Sequence, residues 1–253
     1  MTTNKIDLLT VAQFDDRPSM GRAAADAATG RIKELLGQQE AVNIIFAAAP
    51  SQNEFLDALT GQNGIEWGRI NAFHMDEYIG LPENAPQRFG QFLSERLFAK
   101  VPFRSINYLN GNAANIEEEC KRYTDLLAQY PTDIVCMGIG ENCHIAFNDP
   151  HVANFEDDVW VKVVDLDVAC RQQQVNDGCF AELDQVPTHA LTLTIPALMA
   201  APAVFCVVPG KNKVSAVRYT VNAEISTLFP STILRTHPNA VLFLDDESVL
   251  GMQ

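Results

Sequence analysis

Seven short, nearly unbroken apolar runs punctuate the chain: AVNIIFAAAP, GRINAFHM, DIVCMGIG, VWVKVVDL, HALTLTI, AVFCVVPG and AVLFLD. Neighbouring residues of a strand point to opposite faces, so a run without polar alternation predicts a strand covered on both sides. Helix-like segments lie between many of these runs, at 18–37, 53–60, 87–99, 115–129, 196–201 and 211–222. The first is Ala-rich, follows Arg17-Pro18 and stops near Gly37, the punctuation expected of a helix. Strands alternating with helices predict an α/β fold: a doubly wound, mostly parallel sheet with helices on both faces. No Pro/Gly/Ser-rich linker divides the chain, so residues 1–253 are read as one domain. In such sheets ligands bind beyond the carboxyl ends of the strands, which directs attention to the residues after each run.

Composition narrows the function classes. The formal net charge of -14 repels a phosphate backbone at long range and argues against nucleic acid as a partner. A small anion is still compatible, since a few backbone amides and one lysine can make a local positive pocket. Six cysteines, Cys120, Cys136, Cys143, Cys170, Cys179 and Cys206, form no CxxC pair, and several lie inside apolar runs. That pattern predicts reduced thiols and a cytoplasmic setting. The N-terminal stretch MTTNKIDLLTVAQFDDRP reads as no secretory leader, and no run is long enough to span a membrane.

Three strand ends are dense in reactive groups. After GRINAF comes HMDEYIGLPENAP, with His74, Asp76, Glu77 and Tyr78. A lone aspartate there would most often be a cap or turn residue; two adjacent acids and a tyrosine favour chemistry. After DIVCMGIG comes ENCHIAFNDP. Its histidine, His144, is the residue type suited to general acid–base work, and Asn142 and Asp149 stand close enough in sequence to fix its tautomer. Cys143 beside His144 invites a nucleophile or metal reading, but adjacent residues rarely converge on one ion and no second Cys/His cluster is visible, so no metal is expected. After AVFCVVPG comes KNKVSAV, where Lys211 or Lys213 at a helix start could hold an anion; surface lysines beside a turn fit as well.

FHMDEYIGLP and GIGENCHIAFNDP, in that order and about 60 residues apart, resemble the glucosamine-6-phosphate deaminase/isomerase family, which shares a superfamily of Rossmann-like proteins with 6-phosphogluconolactonase. INYLNGNAANIEEECKRY, LDQVPTHALTLTIPALM, GKNKVSAV and HPNAVLFLD extend the likeness over most of the chain. The resemblance implies that the aspartate of MDEY, Asp76, carries a proton between C2 and C1 of an opened amino sugar. It implies that His144 assists ring opening, supported by Asn142 and Asp149. It further implies no cofactor, a small-molecule sugar or sugar phosphate as partner, and either a monomer or a homo-oligomer.

Departures from the family pattern bear on the substrate. Cys143 replaces the usual glycine and is expected to reshape the pocket. Asp149 replaces a glutamate, which withdraws the carboxylate by about 1.5 Å, one C–C bond. The Gly/Ser/Thr-rich phosphate loop is replaced by AAPSQNEF, leaving Ser51 and Gln52. Lys213 matches the family's phosphate lysine, but the expected arginine is missing near Gly178 and Cys179; Arg171 is the candidate substitute. Substrate contacts are therefore assigned to Ser51, Gln52, Glu77, Cys143, Lys213 and Arg171. The expectation is an amino-sugar isomerase/deaminase with an altered substrate; the alternatives are a 6-phosphogluconolactonase-like hydrolase and a catalytically retired sugar-binding protein.

Overall fold

A computed structural model describes residues 2–252. Eleven strands occur among them: β1 Thr2–Ile6, β2 Leu9–Gln13, β3 Val42–Phe46, β4 Ile70–His74, β5 Asp76–Tyr78, β6 Ser105–Asn107, β7 Ile134–Met137, β8 Val161–Asp165, β9 His189–Leu193, β10 Ala203–Val208 and β11 Ala240–Leu244. The α-helices are α1 Arg17–Leu36, α2 Asn53–Thr60, α3 Phe89–Leu93, α4 Ile116–Gln129, α5 Val168–Asn176, α6 Ile195–Met199 and α7 Val214–Asn222. Eight strands form one sheet in the order β1-β2-β11-β10-β7-β3-β4-β6, parallel except for the edge hairpin β1–β2.

The apolar runs divide by period two, as strands covered on both faces require. Ile44 and Phe46, Cys136, and Phe205 and Val207 face the cluster packed under α1, α2 and α3. Ile45, Val135 and Met137, and Val204, Cys206 and Val208 face the opposite cluster, with α4, α6 and α7. The doubly wound sheet expected from the sequence is therefore present. Helix α1 begins at the N-cap Asp16, whose side chain accepts from the Ser19 amide, with Pro18 in the first turn.

Two of the seven runs do not join this sheet. VWVKVVDL and HALTLTI supply β8 and β9, which pair antiparallel with each other, and β9 pairs antiparallel with β5 to make a separate three-stranded sheet. The 87–99 segment is also less regular than a single helix: α3 gives way at Ser94–Phe98 to a π turn.

In the large sheet the chain runs outward through β3, β4 and β6 on one side and through β7, β10 and β11 on the other. The winding reverses between β3 and β7, which are direct neighbours. The loops that leave their carboxyl ends diverge there and open a crevice, the place where open α/β sheets bind ligands.

Candidate active site

That crevice is lined by the loop after β3 (Ala47–Ala49, Ser51, Gln52), Met75 and Asp76, Gly138–Gly140 after β7, His144, and Lys213. Gln173 and Gln174 of α5 and Phe89 of α3 complete the wall.

The small sheet brings the two reactive segments together. Asp76 of β5 is registered against Thr192 of β9, and the Leu193 amide donates to the Met75 carbonyl. The same two β9 residues hold the histidine loop: Thr192 Oγ1 accepts from the Phe147 amide at 3.0 Å, and Asn148 Nδ2 donates to the Leu193 carbonyl at 2.8 Å. One strand thus braces Asp76 and the 144–149 segment against each other, a stiffness that a site for proton transfer needs.

His144 is 8% exposed, and its Nδ1 lies 2.7 Å from Asn142 Oδ1 and 3.0 Å from Asp149 Oδ1. Both are acceptors, so Nδ1 carries the proton and Nε2 presents a lone pair. Asn142 also donates from Nδ2 to Asp149 Oδ1 at 3.0 Å, which closes the triangle. Burial opposes ionisation of Asp149, but hydrogen bonds and charge from His144 and the Asn142 amide outweigh it, so this carboxyl lies below its ordinary range. The shorter side chain reaches its partner after all, at 3.0 Å from His144 Nδ1. Cys170 is the third member of a buried group with His144 and Asp149, their ligand atoms within 4.8 Å of one another. The hydrogen bonds at Nδ1 account for this cluster as a proton-holding arrangement.

Asp76 has the opposite electrostatics. It is 7% exposed, and its Oδ1 has no hydrogen-bond partner among the described residues. Burial, reinforced by the neighbouring charge of Glu77, raises its carboxyl well above the ordinary range. Two carboxyls, Asp76 in the crevice wall and Asp149 behind His144, are thus driven apart, Asp149 toward the ion and Asp76 toward the acid, a separation typical of divided acid–base roles. His74 is buried and neutral, pushed down to about 4 by desolvation, and its Nε2 accepts from the Leu109 amide.

In the crevice wall Gly140 cannot carry a side chain, because an added Cβ would overlap the His144 ring. Gly140→Ala is expected to displace the imidazole and cost about a hundredfold in kcat, the penalty for a shift of roughly 1 Å at a reacting group. Steady-state kinetics beside a melting curve would separate this from unfolding.

Several expected contacts are placed elsewhere. Glu77 is fully buried and does not line the crevice: Oε1 accepts from the Tyr78 and Phe89 amides and Oε2 from the Gly90 amide, so it anchors the start of α3. Arg171 is turned away, its guanidinium donating to the Leu183 and Val186 carbonyls. Cys143 does not line the crevice; its Sγ lies 3.8 Å from the Ala216 carbonyl. Its φ of 70° lies in the left-handed region, which costs a non-glycine residue about 1–2 kcal/mol. Ser51, Gln52 and Lys213 do line the crevice. Of the two lysines, Lys211 is exposed and Lys213 is 6% exposed; Gly210, tied to Asp245 by two bonds at 3.0 and 2.9 Å, sets that turn. Gln173, Gln174 and Phe89 were not anticipated, and nothing in their local sequence marks them as wall residues.

Residues 15–243 match the family model described as glucosamine-6-phosphate isomerases/6-phosphogluconolactonase. The chain belongs to this family. A glucosamine-6-phosphate deaminase of Bacillus cereus (strain B4264) is 37% identical over 188 residues, 74% of this chain and 70% of the relative. One from Bacillus thuringiensis (strain Al Hakam) is 36% identical over the same extent. Among solved structures, a monomeric glucosamine-6-phosphate deaminase superposes with a TM-score of 0.85 at 28% identity, covering 94% of this chain and 98% of that one. The 6-phosphogluconolactonase of Thermotoga maritima shares the fold, with a TM-score of 0.76 at 20% identity over 94% of this chain and all (100%) of that one. No described helix is long and apolar enough to cross a membrane.

Proposed function

We propose that this family member is an amino-sugar aldose–ketose isomerase/deaminase, with Asp76 as the proton carrier and His144 as the ring-opening group. The observation that carries the reading is the pairing, in one crevice, of an unpartnered buried carboxyl with an imidazole whose Nδ1 proton is held by Asn142 and Asp149. His144 Nε2 takes the proton of the anomeric hydroxyl and returns one to the ring oxygen, which leaves a C1 aldehyde and a free hydroxyl. The Asp76 carboxylate then removes the C2 proton while the C1 carbonyl oxygen takes up a proton to give an enolamine; Asp76 returns its proton to C1 as the nitrogen gives up one N–H proton, which replaces the proton taken up at O1. The resulting C2 imine adds water and expels ammonia, so amino sugar plus water gives ketose plus ammonia. A carboxyl with a raised pKa is a stronger base than an ordinary one once ionised, which suits it to a weakly acidic C–H.

The six unpaired thiols support a cytoplasmic setting. Ammonia and ketose formed in equal amounts from a 2-amino-2-deoxyhexose or its 6-phosphate are the expected products. Acid release from 6-phosphogluconolactone without ammonia from any amino sugar would assign the protein to the lactonase side instead.

A further inference from the structure

We infer that Gln173 is a positioning residue for His144: its side chain ties helix α5, one wall of the crevice, to the tight turn that carries the imidazole. The inference rests on the ring-opening role proposed above for His144, which gives that position its consequence.

The turn closes on itself at two points. The Gly140 amide donates to the His144 carbonyl at 2.9 Å, and the Cys143 amide donates to the Gly140 carbonyl at 3.0 Å. With those groups used internally, the orientation of the turn depends on contacts from other elements. Besides the brace on Phe147 and Asn148, two such contacts grip the turn itself. The Ser231 amide donates to the Cys143 carbonyl at 2.9 Å, and Gln173 Oε1 accepts from the Glu141 amide at 2.7 Å. Glu141 directly precedes Asn142, whose Oδ1 lies 2.7 Å from His144 Nδ1.

Residues 167, 170 and 173 are spaced by three, which lines them up along one face at the start of α5. Each of them meets the histidine segment. The Asp167 amide donates to Asp149 Oδ2 at 3.2 Å, Cys170 belongs to the buried group with His144 and Asp149, and Gln173 reaches Glu141. Both partners of the Nδ1 proton are therefore fixed from the same helix face, Asp149 directly and Asn142 through Glu141.

The sense of the Gln173 amide is set at both ends. Its Nε2 donates to Asp177 Oδ2, four residues on, at 3.4 Å, so a reversed amide would set its oxygen against a carboxylate and its NH₂ against the Glu141 N–H. The side chain is 5% exposed and lines the crevice, so its immobilisation in the free protein sets the histidine turn before substrate arrives.

The test compares two variants with wild type. Gln173→Met keeps a side chain of similar length and removes the strong acceptor. Gln173→Glu combined with Asp177→Asn exchanges the amide and the carboxylate, which keeps the acceptor, the donor and the net charge. Gln173→Met is expected to lower kcat on a cyclic amino sugar about tenfold, less than the hundredfold of a 1 Å displacement because the Ser231 grip remains. It should leave C2–H exchange almost unchanged for an analogue blocked at the ring-closing hydroxyls. Hydrogen exchange of the Glu141 amide should quicken and the His144 ring resonances should shift, and the exchanged pair should restore every one of these readings. A KM change shared by cyclic and open forms with kcat unaltered would make Gln173 a wall contact alone and overturn the inference. So would a Glu141 amide and a His144 ring that do not respond to Gln173→Met. If wild type turns over no amino sugar, the reaction reading fails instead, and the two NMR signatures decide the inference by themselves. Signatures moved by Gln173→Met and restored by the exchanged pair uphold it, and any other pattern overturns it.

Discussion

Asp76→Asn is expected to lower C2–H exchange by about 10²–10⁴-fold, the usual worth of a positioned general base, and at the same time to raise the melting temperature at neutral pH. The two effects have one cause. Burial holds the Asp76 carboxyl well above its ordinary range, with Glu77 adding to the shift. A carboxyl whose folded pKa exceeds its unfolded value binds more protons when folded, so its contribution to stability falls as pH rises through the interval between the two. Asparagine is isosteric and never ionises, which removes that loss. The gain in Tm over wild type should therefore be small near pH 4 and grow toward neutrality. The acidic limb of the wild-type kcat/KM profile should lie above the ordinary carboxylate range and be absent from the residual activity of the variant. A variant that loses activity and stability together would point to a structural carboxyl.

His144→Gln is expected to reduce turnover of the cyclic amino sugar by about 10²–10⁴-fold. It should leave exchange almost intact for an analogue blocked at the ring-closing hydroxyls, since that compound is already open. Asp149→Asn should cost less, because Asn142 Oδ1 at 2.7 Å still accepts the Nδ1 proton. Its signature lies in acid stability. Burial resists ionisation of Asp149, yet His144 and Asn142 bring its folded pKa below the ordinary value. The stability it adds is present above the unfolded pKa and lost as pH falls through the folded one. Wild type and Asp149→Asn should thus converge in Tm at low pH and separate above it. Equal loss on cyclic and open substrates in His144→Gln would remove the ring-opening role.

The main sheet was legible because continuous apolar runs admit few arrangements: Ile44, Ile45 and Phe46 can all be buried only if both faces are covered. The same rule misplaced β8 and β9: the run VWVKVVDL looks continuous, yet Val163 is 43% exposed, so β8 is not covered on both faces. The edge hairpin escaped notice because Asn4 and Lys5 are exposed and break any apolar pattern, and α5 because its Arg171–Gln174 run lacks an apolar stripe. At the site, Asp76, Asn142, His144 and Asp149 stood out through their spacing after strands. Glu77 and Arg171 carried the right chemistry but are tied to backbone groups, α3 amides in one case and the 183–186 turn in the other. Whether a charged side chain faces a ligand or a nearby peptide group depends on tertiary contacts that spacing does not encode. The brace formed by Thr192 and Leu193 was hidden for the same reason.

Proton NMR in D₂O of the purified protein with glucosamine and glucosamine 6-phosphate, wild type against Asp76→Asn, tests the central claim most directly. Loss of the C2–H signal from one of these sugars, accompanied by ammonia and stopped by the substitution, is the result predicted here. A C2–H signal that persists with both sugars, or exchange that continues undiminished in Asp76→Asn, would contradict the assignment of Asp76 as the group that moves the C2 proton.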